Sequence, residues 1–183
     1  MQLIYNGVDI YDSVSLHTCM YDSYGEERPD TMRLVFNDGY DQWDKWQPQK
    51  GDTVRTVLGA CDTGIMYVTD VSPSNGRMML MLSSVPHGVN DKNSKSWESV
   101  HFMQLCREIG HRHGLETQFY DVTDQIYEYI NQANKEDFVF LEERCVYEGC
   151  SFLVYDQKLI VYSEAVLEKE NAKGNLYIPG KIK

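Results

Sequence analysis

Few residues of this chain could take part in catalysis or metal binding. The spacing of its histidines illustrates this, because it does not favour a common site. His111 and His113 lie two positions apart near the end of a predicted helix. Side chains at that spacing point about 200° away from each other, so the two imidazoles could not share a metal. Near the carbonyl end of a helix, basic side chains instead interact favourably with the helix dipole. The pair therefore predicts no metal site.

The cysteines are an odd number and contain no C-x-x-C spacing: Cys19, Cys61, Cys106, Cys145 and Cys150. This set is typical of reduced, buried thiols in a protein made in the cytosol. Cys145 and Cys150 lie on either side of a predicted helix end, so a disulfide between them is the alternative.

Two acidic pairs, Asp121 with Asp124 and Glu142 with Glu143, could be considered as the two carboxylates of a glycosidase. Such pairs carry little information in a chain with 28 acidic residues. The sequence has no G-x-S-x-G or H-E-x-x-H motif, no P-loop and no dinucleotide fingerprint. We therefore expect no catalytic residue, no cofactor and no metal, and a protein that is not an enzyme.

Composition limits the partners as well. The 183 residues are 42% hydrophobic and 12% aromatic, which indicates a globular protein of one large or two small domains. No apolar run approaches the roughly 20 residues that span a bilayer, and no signal peptide is visible, so we expect no membrane partner. The net charge is −11, with 12 acidic and 6 basic residues in 1–88. This charge argues against tight nucleic-acid binding.

Residues 1–88 have the pattern of antiparallel β-structure. Asn6-Gly7 is a strong hairpin signal, and short runs of β-branched and aromatic residues alternate with turn residues along this part of the chain. The predicted strands are 3–5, 8–10, 14–19, 32–36, 53–58, 65–71 and 78–82. The last run is apolar on both faces, so it lies centrally or faces a partner chain. This half is predicted to be an N-terminal antiparallel β-barrel or sandwich.

The second half changes its period. The polar stretch 90–96 is the predicted domain boundary, and an apolar stripe then predicts a helix from about Ser99 to Gly114. Residues 115–120 are predicted to be extended, and 150–155 and 159–162 to form a hairpin around 156–158. With a second helix over 135–148, the order is helix, strand, helix, hairpin. This predicts an α+β protein whose second domain, 94–164, is a small α+β domain.

The helix predicted over 135–148 has signals at both ends. An extended segment ends at Asn134, whose side chain could cap the helix, and Asp137 places negative charge in the first turn. Phe138, Leu141 and Cys145 recur at helical spacing and predict the buried stripe. Gly149 supplies a left-handed residue after the helix. Within this helix we expect Arg144 to form an ion pair inside the domain; a solvated arginine is the alternative.

The segment 129–149 resembles the Q-x-x-E-S-D-F-x-F-L-x-R-L-x-E-x-x-G pattern of phage baseplate hub proteins. That family includes the late-control D proteins and the hub part of type VI secretion spike proteins. The residues that carry this resemblance are Gln132, Asp137, Phe138, Leu141, Arg144 and Gly149. A second element resembles the family's W-x-x-W-x-P-x-x-G-D and comprises Trp43, Trp46, Pro48, Gly51 and Asp52.

Two shorter segments resemble joints of the same family: Asp62-Thr63-Gly64 its D-T-G strand, and Ser84-Val85-Pro86 its S-V-P joint. For the two tryptophans we expect packing over a barrel end or a subunit contact, because their rings are large and amphipathic. A ligand cage made by the pair is the alternative.

The resemblance implies a structural baseplate hub of a contractile tail that joins the tail tube to the spike, in a phage, a tailocin or a related injection system. Such a protein would be made in the bacterial cytoplasm and would lie in the baseplate of a virion or tail-like particle. The implied partners are other hub protomers in a homotrimer, a tail tube or tube-initiator protein, a spike protein and baseplate wedge proteins.

The family also implies a tube-like second barrel, of which 165–183 would be only a truncated or reduced start. From this we expect either a shortened or a reduced hub, monomeric or weakly trimeric by itself. In a ring, acidic residues of the first barrel would line the lumen. There are two alternatives: a tail-associated module that hydrolyses peptidoglycan, and one that binds it.

Overall fold

The structure is a computed structural model that describes residues 1–24, 29–39, 42–86 and 91–165. The strands are β1 Gln2–Tyr5, β2 Val8–Asp9, β3 Ser15–Asp22, β4 Thr31–Asn37, β5 Thr53–Leu58, β6 Cys61–Asp62, β7 Met66–Ser74, β8 Arg77–Ser83, β9 Lys92–His101, β10 Glu116–Tyr120, β11 Ile126–Glu136, β12 Cys150–Tyr155 and β13 Lys158–Ser163. The helices are α1 Gln42–Trp46, α2 Phe102–Arg112 and α3 Asp137–Tyr147.

The first eight strands form one antiparallel sheet in the order β2-β1-β5-β7-β8-β4-β3, with β6 paired to β5. The sheet curls into a half-barrel around its own core. In β4 the predicted alternation is confirmed, because Met32, Leu34 and Phe36 are buried while their neighbours are more exposed. Strand β8 lies between β4 and β7, so the run that is apolar on both faces is central in the sheet.

The sequence predicted a barrel or sandwich, and the described sheet is a half-barrel. Its described path begins at β2 and ends at β3, and no ladder joins these two edges among the residues that the structure describes. One physical reason is the length of β2, which has two residues, whereas β3 has eight. A strand that short cannot pair along the whole of the opposite edge.

The second unit contains a two-stranded ribbon, of which the sequence predicted only one strand, the extended segment that ends at Asn134. Strands β9 and β11 pair antiparallel over most of their length, so residues 92–101 form a strand where the prediction placed the domain boundary and the start of a helix. Most residues of β9 are exposed, which explains why this stretch has the polarity of a linker. The observed order is therefore strand, helix, two strands, helix, hairpin. The predicted hairpin is present, and β10 pairs parallel to its second strand.

Both predicted helices exist with shorter bounds. Helix α2 begins at Phe102 rather than near Ser99, and its predicted stripe of Phe102, Leu105, Cys106 and Ile109 is buried. Helix α3 begins at Asp137, and the residue before it is Glu136, so the predicted cap by Asn134 is wrong. Asn134 instead has φ +49 at an irregularity in the ribbon, where β11 shifts register against β9.

The five thiols are free, but the expectation that all are buried is wrong for two of them. Cys106, Cys145 and Cys150 are buried, whereas Cys19 is exposed and Cys61 is half-buried. Burial raises the pKa of the Cys150 thiol to about 11. The alternative disulfide between Cys145 and Cys150 is not formed, because both thiols are free.

Some predictions fall outside the described chain. The unit 165–183, predicted as the start of a second barrel, lies outside the described residues apart from Ala165. Within the described ranges, no helix combines the length and apolar character that a membrane span requires. In the same ranges, no three His, Cys, Asp or Glu side chains are grouped as metal ligands would be.

Candidate functional site

The tryptophan element closes one end of the half-barrel core. Backbone N–H groups of Gln42 and Trp43 donate to the Asp38 carboxylate at 2.7 and 3.2 Å, which fixes the start of α1. Trp43 is then 1% exposed, with its ring 4.5 Å from Phe36 and 5.2 Å from Trp46 between centroids. Trp46 is 38% exposed. Because Trp43 is already covered by protein, the pair does not form an open ligand cage.

Asp52 ties the loop after α1 to the first hairpin. Its carboxylate accepts hydrogen bonds from Tyr5 Oη at 2.5 Å, Asn6 Nδ2 at 3.0 Å and the Gln49 backbone N–H at 2.7 Å. Partial burial opposes ionisation, but the hydrogen bonds from Tyr5 and Asn6 prevail and lower the pKa of Asp52. Gly51, with φ +93, gives the backbone the turn that brings Asp52 to these donors, after Pro48 in the loop that follows α1. The element therefore fastens one end of the sheet.

The D-T-G segment is a contact point between the half-barrel and the second unit. The Ile65 N–H donates to Asp156 Oδ1 at 3.2 Å, and Tyr155 Oη donates to the carbonyl of Asp62 at 3.2 Å. Gly64 has φ +62, and a Cβ there would lie 3.0 Å from the backbone nitrogen of Asp156. Only glycine combines that conformation with so close an approach. The predicted strand signal is thus also a docking point for the β12–β13 turn.

A buried ionic cluster at Asp137 holds the second unit together. The fully buried carboxylate accepts hydrogen bonds from Arg112 Nη1 at 2.7 and 2.8 Å, Gln132 Nε2 at 2.7 Å and Asn93 Nδ2 at 3.1 Å. His113 Nε2 lies 2.9 Å from Oδ2 of Asp137. These partners come from α2, β9 and β11, so one carboxylate at the start of α3 joins four elements.

The environment of Asp137 keeps it ionised. Burial by itself would raise the pKa, but the hydrogen bond from Gln132 and the charge of Arg112 outweigh it, so the pKa of Asp137 is lowered. The Gln132 amide also donates to the Lys135 carbonyl at 2.9 Å, within the bulged end of β11. The sequence motif contains Gln132 and Asp137 but not Arg112, His113 or Asn93.

The sequence motif missed Arg112, His113 and Asn93. One sequence signal could have identified the first two. A basic pair, Arg112-His113, ends one predicted helix, and an acid begins the next, which is the charge order that helix dipoles favour. Asn93 gave no signal, because it lay in the stretch predicted to be a linker.

The other residues of the α3 motif make packing and cation–π contacts rather than ion pairs. Leu141 is fully buried, Phe138 is half-buried, and Phe140 is buried although the predicted stripe did not include it. The Arg144 guanidinium lies over the rings of Phe140 and Tyr147, at 5.6 and 4.5 Å from their centroids. Cation–π contacts thus stand where an ion pair was expected, and no carboxylate lies within ion-pair distance of Arg144 in the described ranges. Gly149 follows α3 with φ +64, as the motif predicts.

Solved structures share this arrangement of a curled sheet and an α+β unit. The 43 kDa tail protein of prophage MuSo2 from Shewanella oneidensis matches 87% of this chain with a TM-score of 0.66 and 12% identity. A tail protein from Neisseria meningitidis MC58 matches 87% with a TM-score of 0.61 and 9% identity. The fold is that of phage tail proteins.

A third protein with this tail-protein fold comes from a secretion system. The E. coli c3393 protein, a component of the type VI secretion system described as structurally similar to the T4 tail proteins gp27 and gp5, matches 89% of this chain with a TM-score of 0.61 and 13% identity. The chain spans about half the length of each of these structures, between 49% and 51%. No protein-family model and no curated protein sequence matches the chain.

Proposed function

We propose that this protein is a structural component of a phage tail or a related tail-like particle. The observation that supports this role most strongly is the shared fold, which extends over 87–89% of the chain in tail proteins and in a type VI secretion component. The motif residues are consistent with it, because Trp43, Asp52 and Asp137 all pack or pair within the protein.

More specifically, we propose that the protein is a baseplate hub that joins the tail tube to the spike. Its half-barrel would be completed as a tube-like barrel in a homotrimer, and its other partners would be the tail tube or tube-initiator protein, the spike and the wedge proteins. What supports this form is the set of sequence motifs, from Trp43–Asp52 to Gln132–Gly149, which resembles that of hub proteins in order and spacing. The protein would then lie at the baseplate end of the particle.

The role requires no catalysis, and the proposal includes none. In a ring, the acidic excess of residues 1–88 would place negative charge along the lumen, so that nucleic acid passes without binding. Purified protein incubated with cell-wall sacculi should leave their turbidity unchanged. Clearing of the sacculi would favour a peptidoglycan hydrolase instead.

Location within the particle tests the hub assignment. An epitope tag on the protein in the strain that encodes it, followed by immunogold electron microscopy of purified particles, should label one end of each tail, where the spike is attached. Light scattering of the purified chain then reports its oligomeric state. Label along the whole tube, or absence of label from all particles, would contradict the hub.

A further inference from the structure

The outer face of the half-barrel carries a groove that its sheet architecture creates. Cross-strand partners share a face, so Thr18, Val35, Met79 and Ser72 form one row across β3, β4, β8 and β7, on the side opposite the core. This row is the floor of an open groove of about 620 Å³. Besides this row, the groove is lined by His17, Arg33, Ser74, Asn75 and Arg77.

The charge of this groove is opposite to that of the protein. The chain has a net charge of −11, yet the lining contains two arginines and a histidine and no acidic residue. Lys50 and Arg55, two other cations of the half-barrel, have carboxylate partners. In the described part of the chain, neither Arg33 nor Arg77 has a carboxylate within ion-pair distance. Arg33 contacts the sulfur of Met20 instead, at 3.1 Å.

The described acids that border the groove form no ion pair with its arginines. Asp70 lies in the neighbouring row beside Met81, but its carboxylate accepts a hydrogen bond from Ser72 at 2.7 Å and pairs with Lys50 at 3.3 Å. Asp22 lies one row further along β3, opposite Thr31. Within the described ranges, neither arginine is therefore paired with a carboxylate, and both can contact an external anion.

The dimensions favour an extended acidic polypeptide. Arg33 and Arg77 lie on adjacent strands, two residues to either side of the Val35–Met79 row, which places their Cα atoms roughly 14 Å apart. Two carboxylates about four residues apart on an extended chain span that distance. The half-buried Val35 and Met79 between the arginines offer apolar contacts to the intervening side chains, and methionine adapts to varied shapes. A DNA duplex, with one charge per about 1.7 Å, would instead meet the repulsion of the whole acidic surface.

We propose that this groove binds an acidic, extended segment of a partner protein, whose carboxylates pair with Arg33 and Arg77 over a floor of Val35 and Met79. The groove and its charge stand on the half-barrel alone, so the inference does not depend on the tail role.

A labelled ten-residue peptide of alternating Glu and Thr is the probe, with a Lys–Thr peptide of the same length as its charge-reversed control. The full chain should bind the acidic peptide and not the basic one, measured by fluorescence anisotropy, with affinity that falls as salt rises. In the double variant Arg33→Gln/Arg77→Gln the dissociation constant should rise about fivefold to tenfold. Both arginines are exposed, so the variant should remain folded.

The matched control is Lys45→Gln/Lys92→Gln, which removes the same charge from exposed positions away from the groove and should leave binding unchanged. Equal binding by the two double variants, or no binding of the acidic peptide, would overturn the proposal. Stronger arginine-dependent binding of a duplex DNA oligonucleotide would assign the groove to nucleic acid. Self-association of the wild-type chain that the arginine variant abolishes would assign it to a second copy. Either result would refute a separate acidic partner.

Discussion

Two aspartates do the same structural task in the two halves of this molecule under very different conditions. Asp52, near the surface of the half-barrel, ties the loop after α1 to the first hairpin through Tyr5 and Asn6. Asp137, fully buried in the second unit, ties α3 to α2, β9 and β11 through an arginine, a glutamine, an asparagine and a histidine. Both carboxylates have lowered pKa values.

The difference shows how burial decides the importance of a polar tie. Water can replace a partner that Asp52 loses, whereas a partner that Asp137 loses leaves a buried group unsatisfied. In the half-barrel, the Asp52 tie lies at the rim of the sheet and is partly exposed. In the second unit, the ionic cluster lies between its elements. The two units should therefore respond differently to equivalent substitutions.

The largest expected effect is at Asp137. Asp137→Asn keeps the shape but removes the charge that compensates Arg112, so the free energy of unfolding should fall by about 3–5 kcal/mol. The matched substitution Asp52→Asn should cost about 1–2 kcal/mol, because its surroundings admit water. Urea unfolding monitored by circular dichroism measures both values. Equal costs at the two positions would remove the distinction between the two ties.

The helix α3 gives the next effect. Leu141 is fully buried, so Leu141→Ala should lower the free energy of unfolding by about 2–5 kcal/mol. Val146 lies on the outer face of the same helix and is 66% exposed, so Val146→Ala should change stability by about 0.5 kcal/mol or less. Similar losses of stability for the two variants in urea unfolding would mean that the buried and exposed faces of α3 are wrongly assigned.

The contact between the units can be tested with two glycines of nearly identical conformation. Gly64 and Gly59 have φ values of +62 and +60, but only at Gly64 would a Cβ meet a neighbour, the backbone of Asp156. Both alanine variants carry the backbone strain, and Gly64→Ala should cost roughly 1–3 kcal/mol more because the β12–β13 turn must move. Equal melting temperatures for the two variants would contradict this docking contact.

The lowered pKa of Asp137 should appear in the pH dependence of stability. A carboxyl whose pKa is lowered by folding stabilises the protein above its unfolded pKa of about 3.9, and this contribution is lost as pH falls through the lower folded value. Each unit of pKa difference corresponds to about 1.4 kcal/mol. Acid titration of wild-type protein and Asp137→Asn should therefore show a smaller loss of stability below about pH 4 in the variant. Parallel curves would show that Asp137 does not contribute.

Sequence patterns predicted the local elements better than their assembly. The Asn6-Gly7 hairpin, the alternation of β4 and the stripe of α2 follow from turn chemistry and periodicity, which act over a few residues. The ribbon strand β9 was missed because its side chains are mostly exposed and polar. The cluster at Asp137 was recognised only in part, because Asn93 and Arg112 lie 44 and 25 residues away from it in sequence. Contacts at that separation leave no periodic signal.

The most direct test of the proposed tail role is deletion of the gene in the strain that encodes it, followed by electron microscopy of the particles that the strain releases. The account predicts that complete tails disappear and that wild-type protein supplied in trans restores them, whereas the destabilised Asp137→Asn variant restores them less well than Asp52→Asn. Complete tails of normal number and length in the deletion strain would contradict the account.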